Sequence, residues 1–191
     1  MNRKELDPIH IGLIGSLAVN YKGHDTAMKA ISVLKDWYPN IKLHFLGQGS
    51  KDKWVQLAKK LEVEEYVSYV GSLPGGKPVY DWLDSMDIYI QPSLTEGHGR
   101  GAVEAMSRGC ITFASKIGGL VDSIEEKYLF SKQDYRTLAH YIENVINDKD
   151  FAMEAVKSSF EGSKKYEEER IEDKRRKFFW IAVQNWNDKN P

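Results

Sequence analysis

Between His10 and Phe130 the chain repeats one unit: a short apolar run of strand length, a break marked by glycine or proline, then apolar residues at helical spacing. This alternation constrains the fold more than any other feature. Strands separated by helices are joined by crossovers, so they lie parallel in one sheet with helices on its faces. Strands are expected at His10 to Gly15, Ile41 to Leu46, Val67 to Val70, Ile88 to Gln91, Ile111 to Ala114 and Tyr128 to Phe130. Helical stripes fall at Ala27, Ala30, Ile31 and Leu34, and at Trp54, Leu57, Ala58 and Leu61. A short helix is expected near Val79 to Met86 and another at Ala102 to Met106; the stripe Leu138, Tyr141, Ile142 and Val145 follows Asp134, a good N-cap. The fold class is therefore α/β, a doubly wound parallel six-stranded sheet.

After Asp150 the strand signal stops. Two helical pieces are expected, Phe151 to about Phe160 and Glu167 to about Trp186. The charge-dense segment from Lys164 to Lys177 suits a solvated helix. Phe178, Phe179, Trp180, Val183 and Trp186 concentrate more apolar surface than an isolated tail leaves in water, and are expected to pack on the domain's own core. With 191 residues, 41% hydrophobic, the chain can bury one sizeable core. The expected organisation is one domain over residues 1–191, with 151–191 as a C-terminal helical extension.

The most informative stretch runs from Gln91 to Gly119. A strand ends at Pro92-Ser93, then Gly97, Gly99 and Gly101 punctuate a loop that opens a helix. The first N–H groups of a helix have no internal partner and carry the positive end of its dipole, so this junction suits an anion. Two acids bracket it: Glu96 in the loop and Glu104 about one turn into the helix. Carboxylates accept paired hydroxyls, so a ligand bearing both phosphates and sugar hydroxyls reconciles acids with an anion site. Taken as two glutamates alone, they fit better the ordinary preference of acids for helix N-termini and helix surfaces.

Composition excludes several classes. A net charge of −1 gives no electrostatic case for nucleic acid. The single Cys110 rules out an internal disulfide or a cysteine metal cluster and reads as a small buried filler. His10, His24, His44 and His140 lack metal-ligand spacing, so no metal is expected. There is no apolar run of the roughly 18 residues that a membrane span needs and no signal-peptide core at the start. A cytoplasmic protein is expected.

The string Pro92-Ser-Leu-Thr-Glu96-Gly-His-Gly-Arg-Gly-Ala-Val-Glu104-Ala-Met-Ser-Arg-Gly109, followed by Gly118-Gly119, resembles the Pro-Ser-x-x-Glu-Gly-Phe-Gly-x-x-x-x-Glu-Ala-Met-x-x-Gly pattern of family 4 retaining glycosyltransferases. The resemblance covers Ile9 to about Phe160. It implies the Rossmann-like, C-terminal half of a glycosyltransferase B fold, the half that binds the donor, a UDP-, GDP- or ADP-sugar, with no other cofactor. It implies further partners: a glycan, lipid-linked or other hydroxyl acceptor, and an N-terminal acceptor domain in cis or in trans through which the protein can sit at a membrane. Carried over residue by residue, Lys22 would neutralise the donor diphosphate, Glu96 would accept a sugar hydroxyl and Glu104 the ribose hydroxyls. Lys22 and Glu96 are the candidate catalytic pair. Amides from Gly99 to Gly101 would hold the distal phosphate, Gly97 belongs to the same donor-binding loop, Gly47 and Gly49 match a family Gly-x-Gly, and backbone near Gly71, Ser72 and Leu73 would contact the base.

Three residues depart from the pattern. Ser16 stands where most members carry an arginine on the diphosphate. Arg100 replaces a usual leucine, and either supplies the lost guanidinium or points to solvent. His98 replaces a phenylalanine and is expected to be a packing ring rather than an acid or base. The function expected is transfer of a sugar to a hydroxyl in glycan or polysaccharide biosynthesis, with this domain inactive by itself. A non-catalytic nucleotide-sugar-binding or regulatory subunit is the alternative; an epimerase would need an acid and base pair that is not found in the sequence.

Overall fold

The structure is a computed structural model that describes residues 8–167 together with 170, 172 and 176. The expected helix from Glu167 to Trp186 and its apolar cluster Phe178, Phe179, Trp180, Val183 and Trp186 lie, apart from those residues, outside the described ones.

Six strands form one parallel sheet: β1 (Ile9–Ile14), β2 (Ile41–Leu46), β3 (Val67–Gly71), β4 (Ile88–Gln91), β5 (Ile111–Ser115) and β6 (Leu129–Phe130). Their order is β3-β2-β1-β4-β5-β6. The chain runs outward from β1 to β3, then returns to place β4 on the other side of β1. The crossovers after β1 and β4 therefore diverge, and a crevice opens at the carboxyl ends of these two neighbours.

The helices are α1 (His24–Leu34), α2 (Asp52–Lys60), α3 (Lys77–Asp84), α4 (Arg100–Ser107), α5 (Leu120–Ser123), α6 (Tyr135–Asn147) and α7 (Lys149–Ser163). α1 packs with α2 and α6; α4 packs with α3 and α7. Every residue of β4 and β5 is buried, the continuous pattern of inner strands covered on both faces, whereas the edge strand β3 alternates. The expected stripe of α1, Ala27, Ala30, Ile31 and Leu34, is buried.

Most element ends fall within two or three residues of expectation, the ordinary fraying of such boundaries. β6 is the exception in kind. Tyr128 belongs to a 3-10 turn over Glu126–Tyr128, and the strand is only Leu129–Phe130. Asp134 caps α6 as anticipated, accepting from the Thr137 N–H at 3.0 Å and the Thr137 hydroxyl at 2.7 Å, bonds that hold its carboxyl below the usual range.

The helix expected from Phe151 begins earlier, at Lys149, where Asp148 caps it through the N–H groups of Asp150 and Phe151. It is an integral layer of the domain. The Ser159 hydroxyl accepts from the Thr112 N–H at 3.1 Å, at a point β6 does not reach because it pairs only from Ala114 onward. Cys110 is buried with its sulfur 3.3 Å from the Leu83 carbonyl, and burial pushes the thiol up to about 12, the environment of an inert filler.

Candidate functional site

The cleft at the crevice between β1 and β4 is built from two loops. Lys22 ends the first, between β1 and α1; its stem lies against Gly15, where a Cβ would sit 2.9 Å from the Lys22 Cβ. Gly23 follows at φ +76°, a left-handed conformation that suits glycine, and a side chain there would strike the Pro92 carbonyl at 1.9 Å. That close approach brings the first loop onto the second and delivers Lys22 to Glu96. Their Nζ and Oε2 atoms are 2.8 Å apart, with the side chains only 21% and 13% exposed. Such a pair survives salt better than a surface bridge.

The second loop leads from β4 to α4. Gly99 sits at the N-cap with φ +74°, and no side chain caps the helix. The cleft has a volume of about 430 Å³ and is lined by Ile14, Gly15, Lys22, Gln91, Glu96 and His98, with Gly99, Arg100 and Gly101 closing it at the helix mouth. Lys22, a second cation at the rim in Arg100, the Glu96 carboxylate and an uncapped helix N-terminus thus converge on one hollow, a set suited to a ligand with both phosphate and hydroxyl groups.

The remaining expected residues take definite places around it. Gly97 lies between Glu96 and His98, its carbonyl accepting from the Gly119 N–H at 2.7 Å. His98, an exposed residue at the cleft, meets the ring of Tyr166 edge-on at 4.9 Å. Tyr166 in turn bonds the Ser123 hydroxyl at 2.7 Å, so the segment after α7 braces the loop. Glu104 lies one turn inside α4, and Arg100 Nε stands 3.6 Å from its Oε1. Arg100 stands at the rim of the cleft, 87% exposed, the solvent-facing placement of the two expected for it.

Ser16 is turned away from the cleft. Its hydroxyl donates to the Gln48 carbonyl at 3.1 Å and accepts from the Ala18 N–H at 3.3 Å. Gly47 packs on the Gly15 carbonyl and Gly49 on Ala18, which gives both a backbone-packing reason to be glycine. The Gly47 N–H donates to the Gly71 carbonyl, and Gln48 bonds Ser72, so the ends of β2 and β3 are stitched into a shelf beside the cleft, with Leu73 at its outer end.

Sequence reasoning missed Gln91, Ser93 and Tyr89. Ser93 and Gln91 both bond Glu96 Oε2, at 3.3 and 3.4 Å, and Tyr89 bonds Gln91 at 2.6 Å. The available signal was a glutamine ending a wholly apolar strand run, because a polar group buried there needs partners. A larger hollow of about 550 Å³ lies between α1 and α6, lined by Val33, Leu34, Trp37, Tyr135 and Ala139 with charged groups at its rim. The first turn of α6 borders it, but that helix end is already capped by Asp134. Among the described residues no cluster of His, Cys, Asp or Glu is placed to hold a metal ion, and no helix is long and apolar enough to cross a membrane.

Residues 2–161 match the family model described as glycosyl transferases group 1. Among curated proteins, Protein CapJ of Staphylococcus aureus is 41% identical over 169 residues, covering 88% of this chain and 43% of CapJ. An uncharacterized glycosyltransferase of Haemophilus influenzae is 29% identical over 157 residues, covering 80% of this chain and 44% of its own length. The chain thus spans less than half of these relatives. Among solved structures, the C-terminal domain of the group 1 protein LpcC from Francisella tularensis is 22% identical with a TM-score of 0.74, covering 84% of this chain and 88% of that domain. Anabaena Alr3699/HepE, solved with UDP and glucose, is 18% identical with a TM-score of 0.78, covering 93% of this chain and 49% of that one.

Proposed function

The chain belongs to the group 1 glycosyl transferases, and from that membership we propose that its cleft binds a nucleoside diphosphate sugar as the donor side of a retaining, family 4 enzyme. The observation that carries this reading is the Lys22–Glu96 pair set beside the uncapped N-terminus of α4. A diphosphate arriving there exchanges Glu96 for phosphate oxygens at Lys22, while Glu96 turns its free acceptor capacity to a sugar hydroxyl. Glu104 accepts the ribose hydroxyls, and the shelf at Gly71 to Leu73 carries the base. That HepE was solved with UDP and glucose on the same fold supports this class of ligand.

Transfer follows from these placements. The bond from the anomeric carbon to the diphosphate breaks, and Lys22 with the α4 amides stabilises the charge that grows on the leaving oxygen. The acceptor hydroxyl attacks from the same face and gives its proton to the departing phosphate. The reading uses no metal. Attack before water intervenes needs an opposite wall, which we assign to a second domain that binds the hydroxyl acceptor, in the same polypeptide or another. Glycan or polysaccharide biosynthesis is the proposed setting.

The second reading, a binding module without turnover, is favoured by one observation: Ser16 brings no charge, and its hydroxyl is taken up by the Gln48 carbonyl and the Ala18 N–H. Assaying sugar transfer by the 191-residue chain alone and with an acceptor half supplied separates the two. Transfer only in the second case supports the enzyme reading. Donor binding without transfer in either case supports the module, and robust transfer by the monomeric chain refutes the need for a second domain.

A further inference from the structure

We propose that Gln91 and Tyr89 are positioning residues that reserve one oxygen of Glu96, Oε1, for a hydroxyl of the donor sugar. The proposal rests on the nucleotide-sugar reading above. Three donors converge on the other oxygen, Oε2: Lys22 Nζ at 2.8 Å, Ser93 Oγ at 3.3 Å and Gln91 Nε2 at 3.4 Å. When a diphosphate draws Lys22 away, Ser93 and Gln91 remain on the two lone pairs of that oxygen and fix the rotation of the carboxylate.

The direction of the relay follows from chemistry. A carboxylate only accepts, so the Gln91 amide must turn its NH2 toward Glu96, where it also donates to Ser93 Oγ at 2.8 Å. Gln91 Oε1 then faces Tyr89, and the Tyr89 hydroxyl donates to it at 2.6 Å. Burial pushes the Tyr89 hydroxyl far up from its ordinary value, which keeps it a donor. It also accepts, more weakly, from the Ile14 N–H at 3.4 Å.

Donors therefore run in one sense from the end of β1, under the helix mouth, to the acid. Tyr89 and Ser93 are fully buried and Gln91 is 2% exposed, so each of these bonds forms in surroundings with little competing water. Gly101 makes the route possible: a Cβ there would sit 2.7 Å from the Tyr89 oxygen. Tyr89 acts on Glu96 at a distance, through Gln91.

The test is calorimetry on the full 191-residue chain with UDP-glucose, GDP-mannose and ADP-glucose, each against its own diphosphate, for wild type, Tyr89→Phe, Gln91→Met and the double variant. For the sugar nucleotide that wild type binds, each single variant is expected to lose about 5- to 20-fold in affinity, and about 2-fold or less for the matching diphosphate. Because Tyr89 works through Gln91, the double variant is expected to be no weaker than Gln91→Met. Equal losses for sugar nucleotide and diphosphate, or none for either, overturn the relay while leaving the donor reading intact. Failure of wild type to bind any of the six ligands overturns both. Circular dichroism melting checks folding, and Tyr89→Phe, which removes one oxygen, keeps the test decisive if Gln91→Met does not fold.

Discussion

Acidification should weaken this fold at His24, in a way that can be separated from its other titrating groups. It is the first residue of α1, with no exposed surface, held between the rings of Phe45 and Trp54 at 4.8 Å from each. No group meets full hydrogen-bond geometry at either ring nitrogen, and the Gly15 backbone makes only a weak contact there. Burial, chiefly, lowers its pKa from 6.5 to about 4; Lys53 and Lys22 push the same way, while Asp25 and the Gly15 backbone oppose. A cation at a helix N-terminus is disfavoured as well.

The unfolded chain therefore binds more protons than the folded one between these two values, so stability is complete above about pH 6.5 and falls as pH drops toward about 4. At one pKa unit per ~1.4 kcal/mol, the full loss is about 3 kcal/mol, of which about 2 kcal/mol is reached near pH 5. Urea unfolding of wild type and His24→Leu at about pH 7.5 and about pH 5 isolates the effect, since titration of the carboxylates cancels in the difference. Wild type should lose about 2 kcal/mol more than the variant. Equal losses would show that His24 accepts its proton in the folded state as freely as in water, and would refute the reasoning.

Glu104→Gln should weaken nucleoside diphosphate binding by about 10-fold in calorimetry, because a neutral amide is the poorer acceptor for two ribose hydroxyls; unchanged affinity removes Glu104 from the site. Arg100→Ala should weaken diphosphate binding by about 5-fold or less at low salt and hardly at all at high salt, since the side chain stands exposed at the rim. Equal losses for nucleoside and diphosphate would instead indicate a folding defect. Gly47→Ala would place a methyl 1.9 Å from the Gly15 carbonyl, backbone against backbone. It should cost at least about 3 kcal/mol in urea unfolding and loosen the Lys22 wall of the cleft; a wild-type midpoint would show that the loop yields.

The sheet was legible because its evidence is local: apolar runs of strand length, glycine breaks and helical stripes each sit within a dozen residues. β6 was read too long because Tyr128 is as apolar and as buried as its neighbours, and only the turn geometry separates it from them. In the site, Lys22, Glu96 and the α4 mouth announced themselves through motif and spacing. Gln91 and Tyr89 did not, because alternate residues of an apolar strand read as core, although that same spacing of two sets Tyr89, Gln91 and Ser93 in line toward Glu96. Ser16 shows the opposite limit. The sequence revealed a missing charge, but only the structure shows that the hydroxyl there serves the loop.

The claim that most needs testing is that the cleft at Lys22 and Glu96 takes a nucleotide sugar. Calorimetric titration of the 191-residue chain with UDP-glucose, GDP-mannose and ADP-glucose, wild type against Lys22→Ala, tests it directly. The account predicts saturable one-site binding of at least one donor, weakened about 10- to 100-fold by loss of the charged contact. Binding that Lys22→Ala leaves unchanged, or no binding at all, would contradict it.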